Sequence, residues 1–392
     1  MKDVLCRYVA FYNRQRPCFA IGYDTPDNYC KRFYRGELEM KDTFSKRILT
    51  EEPKFVQKRK DTEGWFTMQI INGYQMTKDF SAENAGFCKW GFAEKGGQAY
   101  FIKEFLSPKY PLDSSGLSPA TIEKKKRQCE AFFAEKSRLY QAIESCRTGN
   151  VVTIENFFRD GTKYYIATQR VAPSEISVEQ LARLDDEKKY VLTRSLLYSF
   201  AKLHSRSIVH ADIKPDNILI KRTEAGFYTG KIIDFDSGFF EDSIPEEIQG
   251  DQIYLAPEVR LHMMEEEAKI TTKIDIFALG ILFHQYWSGR LPTILSDYDY
   301  VFESVLDDSP VFLDDSIPKL MRKLIGKMLN KNPELRPSAA QILKVLDTLL
   351  TSTAAPSDTA APSGTKEREA YSYDVAAVSG KGGKGFHALG DL

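Results

Sequence analysis

The chain has 392 residues, with 54 Lys and Arg against 55 Asp and Glu and a formal net charge of −1. Its composition, 42% hydrophobic, 12% aromatic and 28% charged, excludes wholesale disorder and supplies apolar mass for one large domain or two ordinary ones. No positive excess points to nucleic acid or membrane as partner, and the best apolar run, Ile276 to Phe283, stops at His284, short of the roughly 18 residues a bilayer requires.

Residues 1–63 are mildly basic and aromatic and carry no motif, and they read as an N-terminal extension of unknown role. Arg7 interrupts the only signal-like apolar stretch, so a cytoplasmic location is expected. The six cysteines, Cys6, Cys18, Cys30, Cys88, Cys129 and Cys146, include no C-x-x-C pair, and no histidine precedes His204. They read as reduced thiols, not as a zinc site or a disulfide framework.

From Gly64 aromatic and β-branched residues cluster in strand-like runs: Gly64–Ile71, Phe87–Phe92 and Tyr100–Lys103. Between the last two, Glu94-Lys95-Gly96-Gly97 offers the positive φ of a tight hairpin. Helical periodicity takes over near Ile122, and strand patterns return at Val151–Phe158 and Lys163–Thr168 around the turn Arg159-Asp160-Gly161. After Asp185 most of the chain reads as helical. From Thr351 the Ala/Pro/Ser/Thr-rich and then Gly-rich sequence has no apolar period and reads as a disordered tail, 351–392. A β-rich first half and a helical second half predict a two-lobed α+β protein.

The most informative string is His210-Ala211-Asp212-Ile213-Lys214-Pro215-Asp216-Asn217. It resembles the catalytic loop of protein kinases of the Ser/Thr type, H-R-D-x-K-P-x-N. Five matching residues at fixed spacing arise by chance on the order of 10⁻⁷ per start position. The resemblance implies the bilobal protein-kinase fold over 64–350, with an N-lobe over 64–172 and a C-lobe over 173–350. It also implies ATP and Mg²⁺ as cofactors, with a Ser or Thr hydroxyl of a protein as acceptor. Asp212 would take the proton of the attacking hydroxyl, Lys214 would neutralise the transferring phosphoryl group, and Asn217 would bind magnesium through its amide oxygen.

Other motifs agree. Asp234-Phe235-Asp236 resembles the D-F-G magnesium motif, with Asp234 as metal ligand; Asp236 replaces its glycine, either restricting the loop or adding a carboxylate near the metal. Ala256-Pro257-Glu258 resembles the end of an activation segment, and Asp275 the aspartate that braces the catalytic loop. Arg336 is the expected partner of Glu258 in a buried ion pair.

Upstream the resemblance is looser. Lys103 takes the place of the V-A-I-K lysine that holds the α- and β-phosphates, and Cys88, fifteen residues earlier, stands where the family has a valine against the adenine. The three glycine positions of G-x-G-x-x-G fall on Ser81, Glu83 and Gly86, so only the third is kept. Phe101 replaces a small alanine against the adenine. Glu135 is the expected partner of Lys103, with Glu130 as runner-up. Thr168 is placed at the back of the nucleotide site, and Gln169 to Val171 along the adenine edge.

Two departures bear on regulation. Ala211 replaces the arginine that meets a phosphate on the activation segment, and the segment itself is acidic, so constitutive or partner-controlled activity is expected. Asp251 stands where Ser/Thr kinases keep a threonine; its carboxylate could reach Lys214 while adding negative charge near Asp212. The alternative reading is a pseudokinase, a nucleotide-binding or scaffolding module. Ser352, Ser357, Thr359, Ser363, Thr365 and Ser372 make the tail a candidate for autophosphorylation.

Overall fold

The computed structural model describes residues 58–61, 64–67, 69–82, 88–113, 116–146 and 148–353. The expected extension as far as residue 57, Glu83 and Gly86 of the glycine-loop counterpart, and the expected tail from residue 354 lie outside them. The chain divides into two compact units, one of residues 1–137 and 153–171, the other of 138–152 and 172–392.

The first unit holds a hairpin of β1 (Lys58–Asp61) and β2 (Gly64–Thr67) and a six-stranded sheet. The sheet is built from β3 (Ile70–Ile71), β4 (Tyr74–Met76), β5 (Cys88–Lys95), β6 (Gln98–Phe105), β7 (Ile154–Asp160) and β8 (Lys163–Gln169). Its antiparallel order is β3-β4-β5-β6-β8-β7. Gly96 and Gly97, with φ of 59° and 79°, close the β5–β6 hairpin as expected. The run Gly64–Ile71 is not one strand, however. Asn72-Gly73, with φ of 45° and 81°, folds β3 back onto β4, a two-residue turn the aromatic pattern did not single out.

One sheet face buries Ile71, Tyr74, Met76, Ala93, Tyr100, Ile102, Phe158, Tyr165 and Ala167. Helix α1 (Pro119–Ser145) presents Phe132 to Phe105, Phe157 and Tyr164 on the other. Glu104 is buried on β6 and satisfied by the Lys163 ammonium at 2.8 Å and the Tyr165 hydroxyl at 3.0 Å. Cys88 and Cys129 here, and Cys146 in the second unit, are buried thiols outside any disulfide.

The second unit is mainly helical, with α2 (Val178–Ala182), α3 (Asp186–His204), α4 (Pro257–Met263), α5 (Lys273–Ser288), α6 (Val301–Leu306), α7 (Lys319–Met328) and α8 (Ala339–Thr353). Asp185 caps α3 by accepting the Lys188 amide at 2.9 Å. The apolar run noted in the sequence lies in α5, whose residues from Ile274 to His284 are all buried, as befits a helix hydrophobic all round. Helix α8 continues through Thr353, three residues into the stretch expected as tail. Among the described residues, no helix is long and apolar enough to cross a membrane.

Short strands complete this unit: β9 (Ile208–Val209), β10 (Ile218–Arg222), β11 (Tyr228–Ile232) and β12 (Phe239–Phe240), paired β10 with β11 and β9 with β12. Val151 and Val152, expected at the start of a strand running to Phe158, instead join Ile232, with the Val152 amide donating to its carbonyl at 2.8 Å. That contact belongs to the second unit, and β7 therefore begins only at Ile154.

Candidate functional site

In the second unit the loop after β9 is held from below by one buried carboxylate. Asp275, on the first turn of α5, accepts the backbone amides of His210 at 2.8 Å and Ala211 at 3.0 Å, and the His204 ring at 3.0 Å. Its side chain is 1% exposed, so three donors compensate a charge that would otherwise be costly to bury. His210 is also buried; its Nε2 donates to the Ile233 carbonyl at 3.0 Å and its Nδ1 accepts the Asp212 amide at 3.3 Å. The Phe235 ring packs 4.7 Å from it.

These contacts hold Ala211 at a φ of 66°, a left-handed conformation uncommon for a residue with a Cβ. Gly250 lies against the Ala211 carbonyl so closely that a Cβ there would sit 2.6 Å from its oxygen. The segment that ends at Glu258 thus touches the loop 210–217 through a glycine that no larger residue can replace without backbone movement.

Beyond Ala211 the predicted residues converge. Asp212 receives the Lys214 ammonium at 3.1 Å on Oδ1 and 2.9 Å on Oδ2, and the Asn217 amide nitrogen at 2.8 Å on Oδ2. Asp251 donates its backbone N–H to Oδ1 at 3.1 Å. Its carboxylate accepts the Ile253 amide at 3.0 Å through Oδ1 and places Oδ2 4.0 Å from Lys214. The departure at Asp251 therefore leaves the threonine's position in contact with both Asp212 and Lys214.

Asn217 closes a single 3₁₀ turn, Pro215–Asn217, and its carbonyl accepts the Ile233 amide at 3.0 Å, tying the loop to the segment that carries Asp234. Asp234 has a φ of 63° and accepts the Asp236 amide at 3.4 Å. Asp236 is not among the positive-φ residues, so its backbone does not need the glycine of the D-F-G pattern.

The donor chemistry here suits a hard divalent cation. The Asn217 nitrogen donates to both the Asp212 carbonyl, at 2.7 Å, and its carboxylate, which turns the carboxamide oxygen away from Asp212. That oxygen and the Asp234 carboxylate, on segments joined by the Ile233–Asn217 backbone bond, would make a sparse two-residue oxygen set. Among the described residues no group of three or more His, Cys, Asp or Glu could hold a metal. Magnesium fits such a set, because it keeps waters and substrate phosphates as its remaining ligands.

The stretch from β12 to Glu258 is held by contacts at both ends. Strand β12 pairs with β9, the Glu241 carboxylate accepts the Thr272 amide, and Asp242 meets Arg138 at 2.9 Å. Arg138 also lies over the Phe240 ring at 4.1 Å. At the segment's end the expected ion pair is present and bidentate: Arg336 Nη1 and Nη2 donate to the two oxygens of Glu258 at 2.6 and 2.8 Å.

In the first unit Lys103 lies mid-strand on β6, opposite Trp90 on one side and Ile166 on the other. Cys88, expected against the adenine, lies opposite Phe105 and is buried. Trp90 faces the lysine across the ladder. Phe101 pairs with Thr168, and Ser81 bridges to Trp90. Gln169 and Arg170 follow at the exposed end of β8, where the Arg170 amide donates to the Ala99 carbonyl at 3.2 Å, and Val171 comes next. Glu135 and Glu130 are both exposed on α1.

Trp90 and Phe92, read in the sequence only as strand residues, lie opposite Lys103 and Phe101. The signal was the two-residue step Cys88-Trp90-Phe92, which places all three on the face of Phe101 and Lys103.

A family model for the protein kinase domain matches residues 120–346, more than half of the chain. The chain belongs to the protein kinase family. The match begins on α1, so strands β3–β6 lie outside it and are kinase-like by topology and motif spacing. A calcium-dependent protein kinase of Arabidopsis thaliana is 23% identical over 287 residues, 70% of this chain and 54% of that protein. A probable myosin light chain kinase of Dictyostelium discoideum is 27% identical over 210 residues, 50% of this chain and 64% of that protein. A serine/threonine-protein kinase of Drosophila melanogaster is 28% identical over 190 residues, 46% of this chain and 25% of that protein. The chain spans less than two thirds of each of these relatives.

Proposed function

We propose that this chain is an ATP-dependent protein kinase that transfers the γ-phosphate to Ser or Thr hydroxyls of a protein substrate. The observation that carries this reading is the environment of Asp212, whose two oxygens are oriented by Lys214, Asn217 and the Asp251 amide. The acceptor hydroxyl gives its proton to Asp212 as its oxygen bonds to the γ-phosphorus. The bond from that phosphorus to the bridging oxygen breaks, and ADP leaves with the electron pair. Lys214 balances the negative charge of the phosphoryl group in flight, and Lys103, oriented by Glu135, holds the α- and β-phosphates. Asn217 and Asp234 would hold Mg²⁺, which neutralises phosphate charge and aligns the leaving group. Ser81, Gly86, Cys88, Phe101, Thr168, Gln169 and Val171 line the nucleotide on this reading.

Activity without activation-loop phosphorylation is part of the same proposal. Ala211 offers no cation to a phosphate, and Arg138, Thr272 and β9 already engage the segment. The second reading, a pseudokinase, is favoured by Phe101 at a position where the resemblance implies a small side chain. Transfer of label from γ-labelled ATP with Mg²⁺ to a generic Ser/Thr substrate decides between them. Wild type should exceed Asp212→Asn by 10²-fold or more. Equal, low incorporation by both, with nucleotide still raising the melting temperature, would establish the pseudokinase. Intact-mass measurement with and without residues 351–392 tests autophosphorylation of the tail; an unchanged phosphate count rejects it.

A further inference from the structure

Away from the candidate site, the second unit carries a cleft between the ends of α6 and α7, with a volume of about 390 Å³. Ligand sites occupy roughly 300–1,000 Å³, so this one is large enough to hold a ligand. Val305, Val311, Leu313 and Leu329 give it apolar walls. Gly326 opens it on the α7 side, and Asp308, Ser309, Asn330 and Lys331 complete the lining. It shares no residue with the loop 210–217 or with Asp234.

Gly326 lies inside α7, where glycine is less favourable than alanine. It has no positive φ, and a Cβ there would meet only Leu313 Cδ1, at an ordinary 3.7 Å. Neither the backbone nor the packing calls for glycine, and its effect is to leave the cleft open. The rim defines what would fit. The Lys331 ammonium donates to the Leu306 carbonyl and the Asp308 carboxylate, both at 2.7 Å. The Asn330 carboxamide oxygen accepts the Asn332 amide at 2.9 Å, which leaves its nitrogen to donate to a carboxylate or carbonyl of a ligand. Residues 319–331 include Lys319, Arg322, Lys323, Lys327 and Lys331 and no acid. Asp315 meets Arg322 and Asp308 meets Lys331, so the α7 side stays positive overall.

We propose that this cleft docks a segment of a partner protein in which a leucine or phenylalanine is flanked by aspartate or glutamate. The apolar side chain takes the space that Gly326 leaves open, among Val305, Val311, Leu313 and Leu329. The flanking carboxylates meet the positive α7 side and the Asn330 amide, which sets the preference for an acidic segment. The site goes beyond phosphoryl transfer and does not depend on it.

The test is fluorescence anisotropy of labelled synthetic peptides titrated with the full chain. The probes carry Leu or Phe between Asp and Glu residues; one control has Lys flanks and another has Ser at the centre. The acidic Leu and Phe peptides should bind about tenfold or more tightly than either control. Their advantage over the Lys-flanked peptide should shrink as NaCl is raised. Gly326→Leu fills the cleft and should weaken the acidic peptides by about tenfold or more. Gly326→Ala, which adds only a Cβ, should weaken them severalfold with a melting temperature at or above that of wild type. Phosphate transfer to a generic substrate should be unchanged in both. Equal binding of acidic and Lys-flanked peptides, wild-type affinity in every folded variant, or no binding up to about 1 mM would overturn the proposal. Self-association of the full chain in sedimentation, abolished by Gly326→Leu, would also overturn it and give the cleft to a second copy. Inactive wild type that still binds the acidic peptides would bring down the kinase reading and leave this one standing.

Discussion

Replacing Arg336 with methionine should remove much of the stability of the helical unit. The Arg336 side chain is 0% exposed and that of Glu258 5%. Besides the bidentate pair, Arg336 donates to the carbonyls of Asn330 at 2.7 Å, Lys273 at 3.0 Å and Lys331 at 3.3 Å. Its guanidinium also lies 4.9 Å from the Phe277 ring centroid. Methionine fills most of the volume but leaves a buried carboxylate without its counter-charge, a change that typically costs about 3–5 kcal/mol. Against a total of about 5–15 kcal/mol for an ordinary domain, that is a fifth or more of the whole. Urea denaturation followed by far-UV circular dichroism measures the loss. Glu258→Gln combined with Arg336→Met should cost less than the two single changes added, because the second removes a group the first left stranded. A cost below about 1 kcal/mol for Arg336→Met, or strict additivity in the double variant, would show that the pair is hydrated and that the burial argument fails.

Two further predictions follow from local geometry. Gly250→Ala places a Cβ against the Ala211 carbonyl and should lower kcat by tenfold or more with little change in KM for ATP, since displacement of a catalytic loop by about 1 Å can cost 10²-fold; unchanged kcat would mean the approach is not needed for turnover. His284 donates from Nδ1 to the Arg290 carbonyl at 2.8 Å and accepts the Asp314 amide on Nε2 at 3.0 Å, and burial pushes its pKa below the ordinary 6.5. The unfolded chain therefore binds more protons than the folded one below 6.5, so stability present above that pH falls as pH drops toward the folded value. Urea midpoints between about pH 7.5 and 5.5 should decline in wild type and flatten in His284→Gln; parallel slopes would refute the assignment.

The halves of the candidate site were legible to different degrees. Asp212, Lys214 and Asn217 lie within six residues of one another, so the resemblance of one short string to the kinase catalytic loop was enough to single them out. Glu258 and Arg336 are 78 apart, yet each lies in a short motif that names its partner. Asp251 was legible only as a departure. That its backbone amide serves Asp212 while its side chain caps a 3₁₀ turn depends on Gly250 and Ala211 meeting, which no local pattern encodes.

Local sequence determined the β-rich and helical halves, the catalytic-loop-like string and the start of α3 at Asp185, because caps, turns and apolar periods act over a few residues. Tertiary structure decided pairing. A hairpin between β5 and β6 can close in more than one register, and a slip of two residues preserves every face while changing which side chain opposes Lys103. The register put Trp90 there and Cys88 opposite Phe105. Likewise Val151 and Val152 have strand character in any context, but only the carbonyl of Ile232, some eighty residues on, settled which unit they joined. Such choices rest on contacts distant in sequence, whose free energy is realised only once the chain has closed the loops between them.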